Sequence, residues 1–177
     1  MLIACHLFFG TVLGMLLAGY WNRRSLIYIC MLGALLPDLI DKPFGILIIP
    51  GVHDGRMICH SIIGFFLIIA IVWLLFRDRL AALALGAGVI LHQILDTMWE
   101  APINWFFPLF GPFPVHDNYR YFETGLLREL TTPSEWLFLA GTVTLLYLVQ
   151  HDQKRGKMVQ VAAGVGIPAV ILLIFSM

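Results

Sequence analysis

The chain has 177 residues, of which 60% are hydrophobic and only 12% are charged, and its formal net charge is zero. A soluble domain of this length usually has about twice that share of charged residues, so the composition argues against a soluble globular protein. Without an excess of positive charge, no nucleic-acid partner is expected.

Apolar segments long enough to cross the hydrocarbon core of a bilayer recur along the chain. Residues 2–20 contain no Asp, Glu, Lys or Arg, and the same holds for residues 57–76 and 158–177. The first segment lacks a cleavage site of the signal-peptide type, so we interpret it as a retained helix. We predict an all-α polytopic membrane protein with a single transmembrane domain over residues 1–177. Its six transmembrane helices are expected at about 2–20, 25–41, 57–76, 80–98, 133–150 and 158–177.

Two further features refine this prediction for the first half of the chain. Pro37 is expected to kink or end the second helix, because proline removes a backbone donor. The stretch 43–52 contains two Pro and two Gly, and it is expected to form a re-entrant or interfacial loop. Gly10 and Gly14 have the spacing that allows close packing against a neighbouring helix.

The loops predict the orientation in the membrane. Three short loops, 22–24, 77–79 and 150–157, contain most of the basic residues. They hold Arg23, Arg24, Arg77, Arg79, Lys154, Arg155 and Lys157. The positive-inside rule places such loops in the cytoplasm. A multi-pass protein of the cytoplasmic membrane is therefore predicted, with both termini and the long loops 42–56 and 99–132 on the extracytoplasmic side.

The long loop 99–132 is rich in aromatic residues and proline, and a short amphipathic helix is expected at 122–130, with Leu126, Leu127 and Leu130 facing lipid. Trp and Tyr favour the headgroup level of a bilayer. The loop is therefore either a simple interfacial belt or a lid or acceptor surface for a lipid substrate.

Ionisable side chains near predicted helix ends gather on the extracytoplasmic face. Such groups are costly beside hydrocarbon, so they are expected to be partnered or functional. Imidazole and carboxylate together suit a cation. The candidate metal ligands are His6, Asp38, Asp41, His60, His92 and Asp96.

Six candidates exceed the needs of one tetrahedral zinc and suit two divalent cations bridged by a carboxylate. Zinc is expected first, with manganese, iron or magnesium as alternatives. Two-metal sites suit phosphoryl chemistry, in which Arg56 would hold phosphate while Asp41 or Glu135 takes the proton. Other candidates on this face are Lys42, Arg120, Arg128, Glu100, His53, Asp54, His116 and Asp117. The basic residues have a second interpretation, attraction to anionic headgroups. For Glu135 the second interpretation is charge complementarity at a helix terminus.

The order of these residues resembles the membrane-bound metal-dependent hydrolase family of bacteria and archaea. The resemblance rests on His6, on the Pro-Asp-Leu-Ile-Asp run 37–41, on the His60-Ser61 pair and on His92 with Asp96. It covers roughly residues 1–110 and implies a distant similarity to zinc-dependent phospholipase C and P1 nuclease. It also implies that the six candidates are the ligands. The family often has His-Arg where Gly55-Arg56 stands here, and loop 99–132 has no counterpart.

The resulting expectation is hydrolysis of a phosphate ester or anhydride of a membrane lipid at the outer face. The chain has no HExxH, GxSxG or P-loop motif, which disfavours a zinc protease of that type, an α/β-hydrolase and a nucleotide-driven machine. Three alternatives remain open: a metal-dependent ester or amide hydrolase acting on a lipid, an ion or proton transporter, and a membrane scaffold stabilised by a metal.

Overall fold

A computed structural model of the chain describes residues 3–45, 55–114, 127–128, 130–151 and 155–176, and the side chains of the last helix over 156–170. These described residues form seven α-helices and two short 3-10 helices, with no β-strand among them. The α-helices are α1 (Ile3–Trp21), α2 (Ser25–Pro43), α3 (Ile62–Phe76), α4 (Arg79–Leu95), α5 (Pro102–Trp105), α6 (Pro133–His151) and α7 (Arg155–Ser176). The 3-10 helices are Ile58–His60 and Met98–Glu100. The predicted all-helical fold is therefore confirmed for this part of the chain.

Helices α3 and α4 are shorter than predicted, whereas α2 and α7 extend beyond their predicted boundaries. The segment expected as a helix at 57–76 begins with the 3-10 helix, and α3 starts only at Ile62. Ser61 separates the two with an extended backbone, and its Oγ accepts a hydrogen bond from the backbone N–H of Gly64 at 3.0 Å. The helix expected at 80–98 ends at Leu95, because Thr97 takes a left-handed conformation with φ of 50°.

Helix α2 continues through Pro37 as far as Pro43, beyond the predicted boundary at residue 41, so Pro37 does not end the helix. Proline removes one backbone hydrogen bond from a helix, and here packing on both sides of α2 outweighs that loss. As a consequence Asp38 and Asp41 lie three residues apart on one continuous helix and both are buried. The predicted loop 43–52 and helix 122–130 lie largely outside the described residues.

Helices α1, α2 and α4 form the centre of the bundle, and glycines set their separation. A Cβ atom on Gly14 of α1 would lie 2.7 Å from Cα of Ile27 in α2. A Cβ atom on Gly88 of α4 would lie 2.7 Å from the backbone N of Ala34, on the other side of α2. The close packing predicted for Gly10 and Gly14 is confirmed. Helices α6 and α7 pack on α1, and α3 packs on α4.

The outer helices present apolar side chains outward. On α3, Leu75 is 71% exposed and Phe76 is 70% exposed. Contiguous apolar surface of this kind marks contact with lipid or with another protein. By length and composition alone, one described helix, Ile3–Trp21, is long and apolar enough to cross a membrane. Three further apolar helices are shorter: Ile62–Phe76, Arg79–Leu95 and Gly156–Val170. Six membrane spans stay a prediction.

Candidate metal centre

The fold gathers the six predicted ligand residues at one end of the bundle, the end opposite the short loops 22–24 and 77–79. His6 comes from the first turn of α1, His60 from the 3-10 helix before α3, and Asp96 from the residue that ends α4. Each of the six is almost fully shielded from solvent, with exposures of 0–9%. Burial of this many ionisable groups is costly unless the groups are paired or bind an ion.

Four of the six form what we call the acid–histidine cluster: Asp38, His60, His92 and Asp96. Each offers one ligand atom, and these atoms all lie within 4.8 Å of one another. Two imidazoles and two carboxylates are a donor set that zinc, manganese and iron accept. The chemistry of these residues therefore fits a divalent cation.

The two histidines of the cluster face each other through their Nε2 atoms. Nδ1 of His92 lies 2.7 Å from the backbone oxygen of Ala34, and Nδ1 of His60 lies 2.8 Å from Oδ2 of Asp41. Both oxygens are acceptors, so each Nδ1 donates its proton, and in a neutral imidazole the Nε2 atom then offers a lone pair. The two Nε2 atoms are only 3.0 Å apart. Two lone pairs at this distance repel each other unless a proton or a cation lies between them.

One oxygen of each carboxylate lies near both Nε2 atoms. Oδ1 of Asp38 is 3.5 Å from Nε2 of His60 and 3.8 Å from Nε2 of His92. Oδ2 of Asp96 is 3.8 Å and 3.7 Å from the same two atoms. Ligand atoms of a tetrahedral zinc lie about 3.3 Å apart, given bonds of about 2.0 Å. A contraction of a few tenths of an ångström would bring each carboxylate–histidine pair to that distance, and the whole set of four atoms lies within 4.8 Å.

The other two predicted ligands lie beside the cluster. Nε2 of His6 is 3.2 Å from Oδ1 of Asp96, and the His6 ring packs against the His92 ring with centroids 4.1 Å apart. Asp41 directs its oxygens to the backbone of residues 57–60 and to the side chain of His60. His6 and Asp41 therefore each contact a cluster residue from outside.

The predicted phosphate-binding and proton-accepting residues have their own partners. Nζ of Lys42 lies 2.6 Å from Oδ2 of Asp38, the oxygen that faces away from the histidines. The half-buried Arg56 accepts a hydrogen bond at its backbone oxygen from Nδ2 of Asn104, at 2.6 Å. Oε2 of the buried Glu135 accepts the backbone N–H of Ala4 at 2.9 Å, so this carboxylate lies at the N-terminus of α1.

The remaining predicted candidates are exposed or lie outside the described residues. Glu100 and Arg128 are exposed. The candidates outside the described residues are His53, Asp54, His116, Asp117 and Arg120.

Sequence reasoning missed two buried polar residues that support the cluster, Gln93 and Asn104. Gln93 is 2% exposed, and its Oε1 accepts a hydrogen bond from Nε1 of Trp105 at 3.0 Å. Asn104, on the same short helix as Trp105, is 3% exposed. An amide directly after a candidate ligand, in an otherwise apolar helix, is a signal that would have pointed to Gln93. The helix α5 thus contacts both the segment of His60 and the helix of His92.

A profile of the YdjM inner membrane protein family matches residues 1–176. The chain belongs to this family. Membership places it among inner membrane proteins, which agrees with the exposed apolar side chains of α3 and confirms the predicted membrane location. No curated protein and no solved structure matches the chain. The YdjM family description names a location and no reaction, so activity has to be argued from the cluster.

Proposed function

We propose that this member of the YdjM family is a membrane-embedded, metal-dependent hydrolase. In this proposal the acid–histidine cluster binds a divalent cation, zinc first, and the enzyme cleaves a phosphate ester or anhydride of a lipid at the extracytoplasmic face of the inner membrane. One observation supports it above all others. The Nε2 atoms of His60 and His92 face each other at 3.0 Å while both Nδ1 atoms are committed to oxygen acceptors.

The chain's own residues have distinct parts in this proposal. A bound divalent cation supplies Lewis acidity and activates water, which is what hydrolysis of a phosphate ester needs. His60 and His92 hold it as neutral ligands, and Asp38 and Asp96 offset its charge. Lys42 neutralises the outer oxygen of Asp38. The described donors supply one cation, and a second would have to take His6 and Oδ1 of Asp96.

The lipid substrate class follows from what surrounds this end of the bundle. Beside α5, large apolar side chains point outward: Trp99, Ile103, Leu109 and Phe110. Trp at the end of a membrane bundle favours the headgroup layer. A site at this level meets phosphorylated headgroups at high local concentration. Arg56, four residues before His60, is the proposed contact to phosphate, since guanidinium binds phosphate oxygens in a bidentate way.

Metal analysis of the purified protein in detergent tests this proposal. We expect about one zinc, manganese or iron per chain, and a loss of that metal in His92→Ala and Asp38→Asn. His151→Ala is the matched control, because His151 is an exposed histidine at the opposite end whose Nδ1 contacts the oxygen of Tyr147. If the wild type and the cluster variants contain the same negligible amount of metal, the proposal is wrong.

Turnover then decides between reaction classes. Protein in vesicles is supplied with phospholipids, lipid phosphates and lipid diphosphates, and release of phosphate or headgroup is measured. We expect release that depends on His92. Turnover of carboxylic esters or amides instead would favour the alternative ester or amide hydrolase at the same site.

A second candidate function, a membrane protein stabilised by a structural metal, is favoured by the number of donors. Structural zinc sites are closed by four protein ligands, whereas catalytic sites keep an open position. The spectrum of the cobalt-substituted protein distinguishes the two. A closed site gives a four-coordinate spectrum that added phosphate does not change. The open site of the proposed hydrolase gives a spectrum that changes when phosphate is added.

The structure offers less support for an ion or proton transporter. A relay needs ionisable or polar groups through the depth of the bundle. Among the described residues, the buried polar side chains away from the cluster end are Thr11 and Thr142. Each donates its hydroxyl to a carbonyl of its own helix, at 2.7 Å and 2.9 Å.

A further inference from the structure

Asp41 is surrounded by hydrogen-bond donors. Its Oδ2 receives the backbone N–H of Met57 at 2.9 Å, the backbone N–H of His60 at 3.0 Å and Nδ1–H of His60 at 2.8 Å. Its Oδ1 receives the backbone N–H of Cys59 at 3.1 Å. An ionised carboxylate offers about four lone-pair sites, so four donors satisfy it.

Asp38, one turn earlier on the same helix, has the opposite surroundings. Its Oδ1 faces Nε2 of His60 and Nε2 of His92, and its Oδ2 faces Lys42. Two carboxylates this close repel each other unless each has its own positive partner. The pair is therefore divided: Asp38 points into the acid–histidine cluster, and Asp41 points into the backbone of the segment that contains His60.

We propose that Asp41 is the positioning residue of His60 and not a metal ligand. By holding Nδ1–H and three backbone N–H groups, it fixes both the ring and the 3-10 helix, and so presents Nε2 of His60 to the cluster. A carboxylate behind a ligating histidine fixes its tautomer and raises its basicity. This inference adds a role for Asp41 to the proposed metal centre. It rests on the proposed function for the second of its two tests.

Nuclear magnetic resonance of protein labelled with ¹⁵N-histidine gives the first test, and it needs no metal. The chain has six histidines, and a His60→Ala spectrum assigns the signal of His60. We expect an Nδ1–H proton of His60 that exchanges slowly with water in the wild type. This signal should vanish in Asp41→Asn, whose amide would place N–H groups against the backbone donors. It should persist in Asp38→Asn, the matched control on the same helix.

Zinc affinity, measured by competition with a chelator, gives the second test. We expect Asp41→Asn to weaken zinc binding about 10- to 100-fold, the usual effect of losing a carboxylate behind a ligand histidine. In a His60→Ala background the same substitution should change the affinity about twofold or less, because independent effects add and dependent ones do not. Substitution of a direct ligand such as Asp38 should instead weaken zinc binding in both backgrounds.

The outcomes separate this inference from the proposed function. If the wild type binds none of zinc, manganese and iron, the proposed function is wrong, and the resonance of His60 alone decides the role of Asp41. A wild-type His60 with its proton on Nε2, or an Nδ1–H signal that survives Asp41→Asn, overturns the inference. An equal loss of zinc affinity in both backgrounds does so too, because it would make Asp41 a direct ligand.

Discussion

His6 of α1 and Asp96 at the end of α4 contact each other at 3.2 Å, from Nε2 of the histidine to Oδ1 of the aspartate. The other oxygen of Asp96 faces His60 and His92. Asp96 thus connects the first helix of the chain to the acid–histidine cluster. His6 can have one of two roles in this contact. It either orients Asp96 or binds a second cation.

Replacing His6 by Asn distinguishes these two roles. If His6 orients Asp96, the variant should keep one metal per chain and bind it about 10- to 100-fold more weakly, as expected for a residue that supports a ligand. Metal counts and chelator competition on the same preparation give both numbers. A fall from two metals to one would establish the binuclear site that six candidate ligands predicted.

The glycine contact between α2 and α4 predicts a coupling of packing to metal binding. A Cβ in Gly88→Ala would meet Ala34 N and lie near the carbonyl of Cys30, so we expect a destabilisation of about 1–3 kcal/mol. Because His92 follows one turn later on α4, metal binding should weaken as well. Gly164→Ala in α7 is the control. A Cβ there meets nothing within 4 Å, so the more helix-favouring alanine should be neutral or stabilising. Thermal unfolding in detergent compares the two, and equal stability of both variants would contradict the packing described.

Glu135 gives a prediction about α1. Removing its carboxylate in Glu135→Ala leaves the backbone N–H of Ala4 without this acceptor, at a cost of about 1–3 kcal/mol of unfolding free energy. Metal content should stay near that of the wild type, since Glu135 is not one of the four cluster residues. A stable variant that has lost its metal would instead support the predicted role of Glu135 as a ligand.

At the opposite end of the bundle, Arg23 and Asp78 predict a pH dependence. Nη2 of Arg23 lies 2.5 Å from Oδ2 of Asp78, and Asp78 also accepts the backbone N–H of Ala81 at the start of α4. The Arg23 guanidinium, and after it this N–H, hold the pKa of the Asp78 carboxyl below its ordinary value. A carboxyl whose pKa is lowered by folding stabilises the folded state fully at a pH above its ordinary pKa. This stabilisation is lost as the pH falls through the lower pKa of the folded state.

The measurement is the thermal midpoint at neutral and at acidic pH, in low and high salt. Asp78→Asn keeps an acceptor for the helix start and loses the charge, so it should lose less stability than Asp78→Ala. Both side chains are partly exposed, so the effect should be small and should shrink as salt is added. If the thermal midpoint of Asp78→Asn depends on salt and acid as fully as that of the wild type, the Arg23–Asp78 pair is not the source of this dependence.

Hydropathy was enough to predict where the long helices lie, because a membrane selects apolar segments of a fixed length. It also predicted that His6, Asp38, His60 and His92 share one end, since helices of similar length alternate in direction.

The sequence could not assign separate roles to the six candidate ligands. The role of Asp41 depends on three backbone N–H groups of residues 57–60, and backbone donors leave no mark in the sequence. The sequence also left open whether Pro37 kinks or ends α2, because the passage of the helix through Pro37 depends on packing against α1 and α4. Tertiary contact of this kind overrides local propensity.

Three of the four cluster residues stand on or beside α2 and α4, whose backbones glycines hold in direct contact, and only His60 comes from a separate short segment. We therefore expect assembly in two stages. Asp38, His92 and Asp96 form a half-site as soon as the two helices pair, and His60 closes it last. The connectivity of the chain thus determines the order in which the ligands come together. The affinity for a cation would depend on how rigidly the segment of His60 is held.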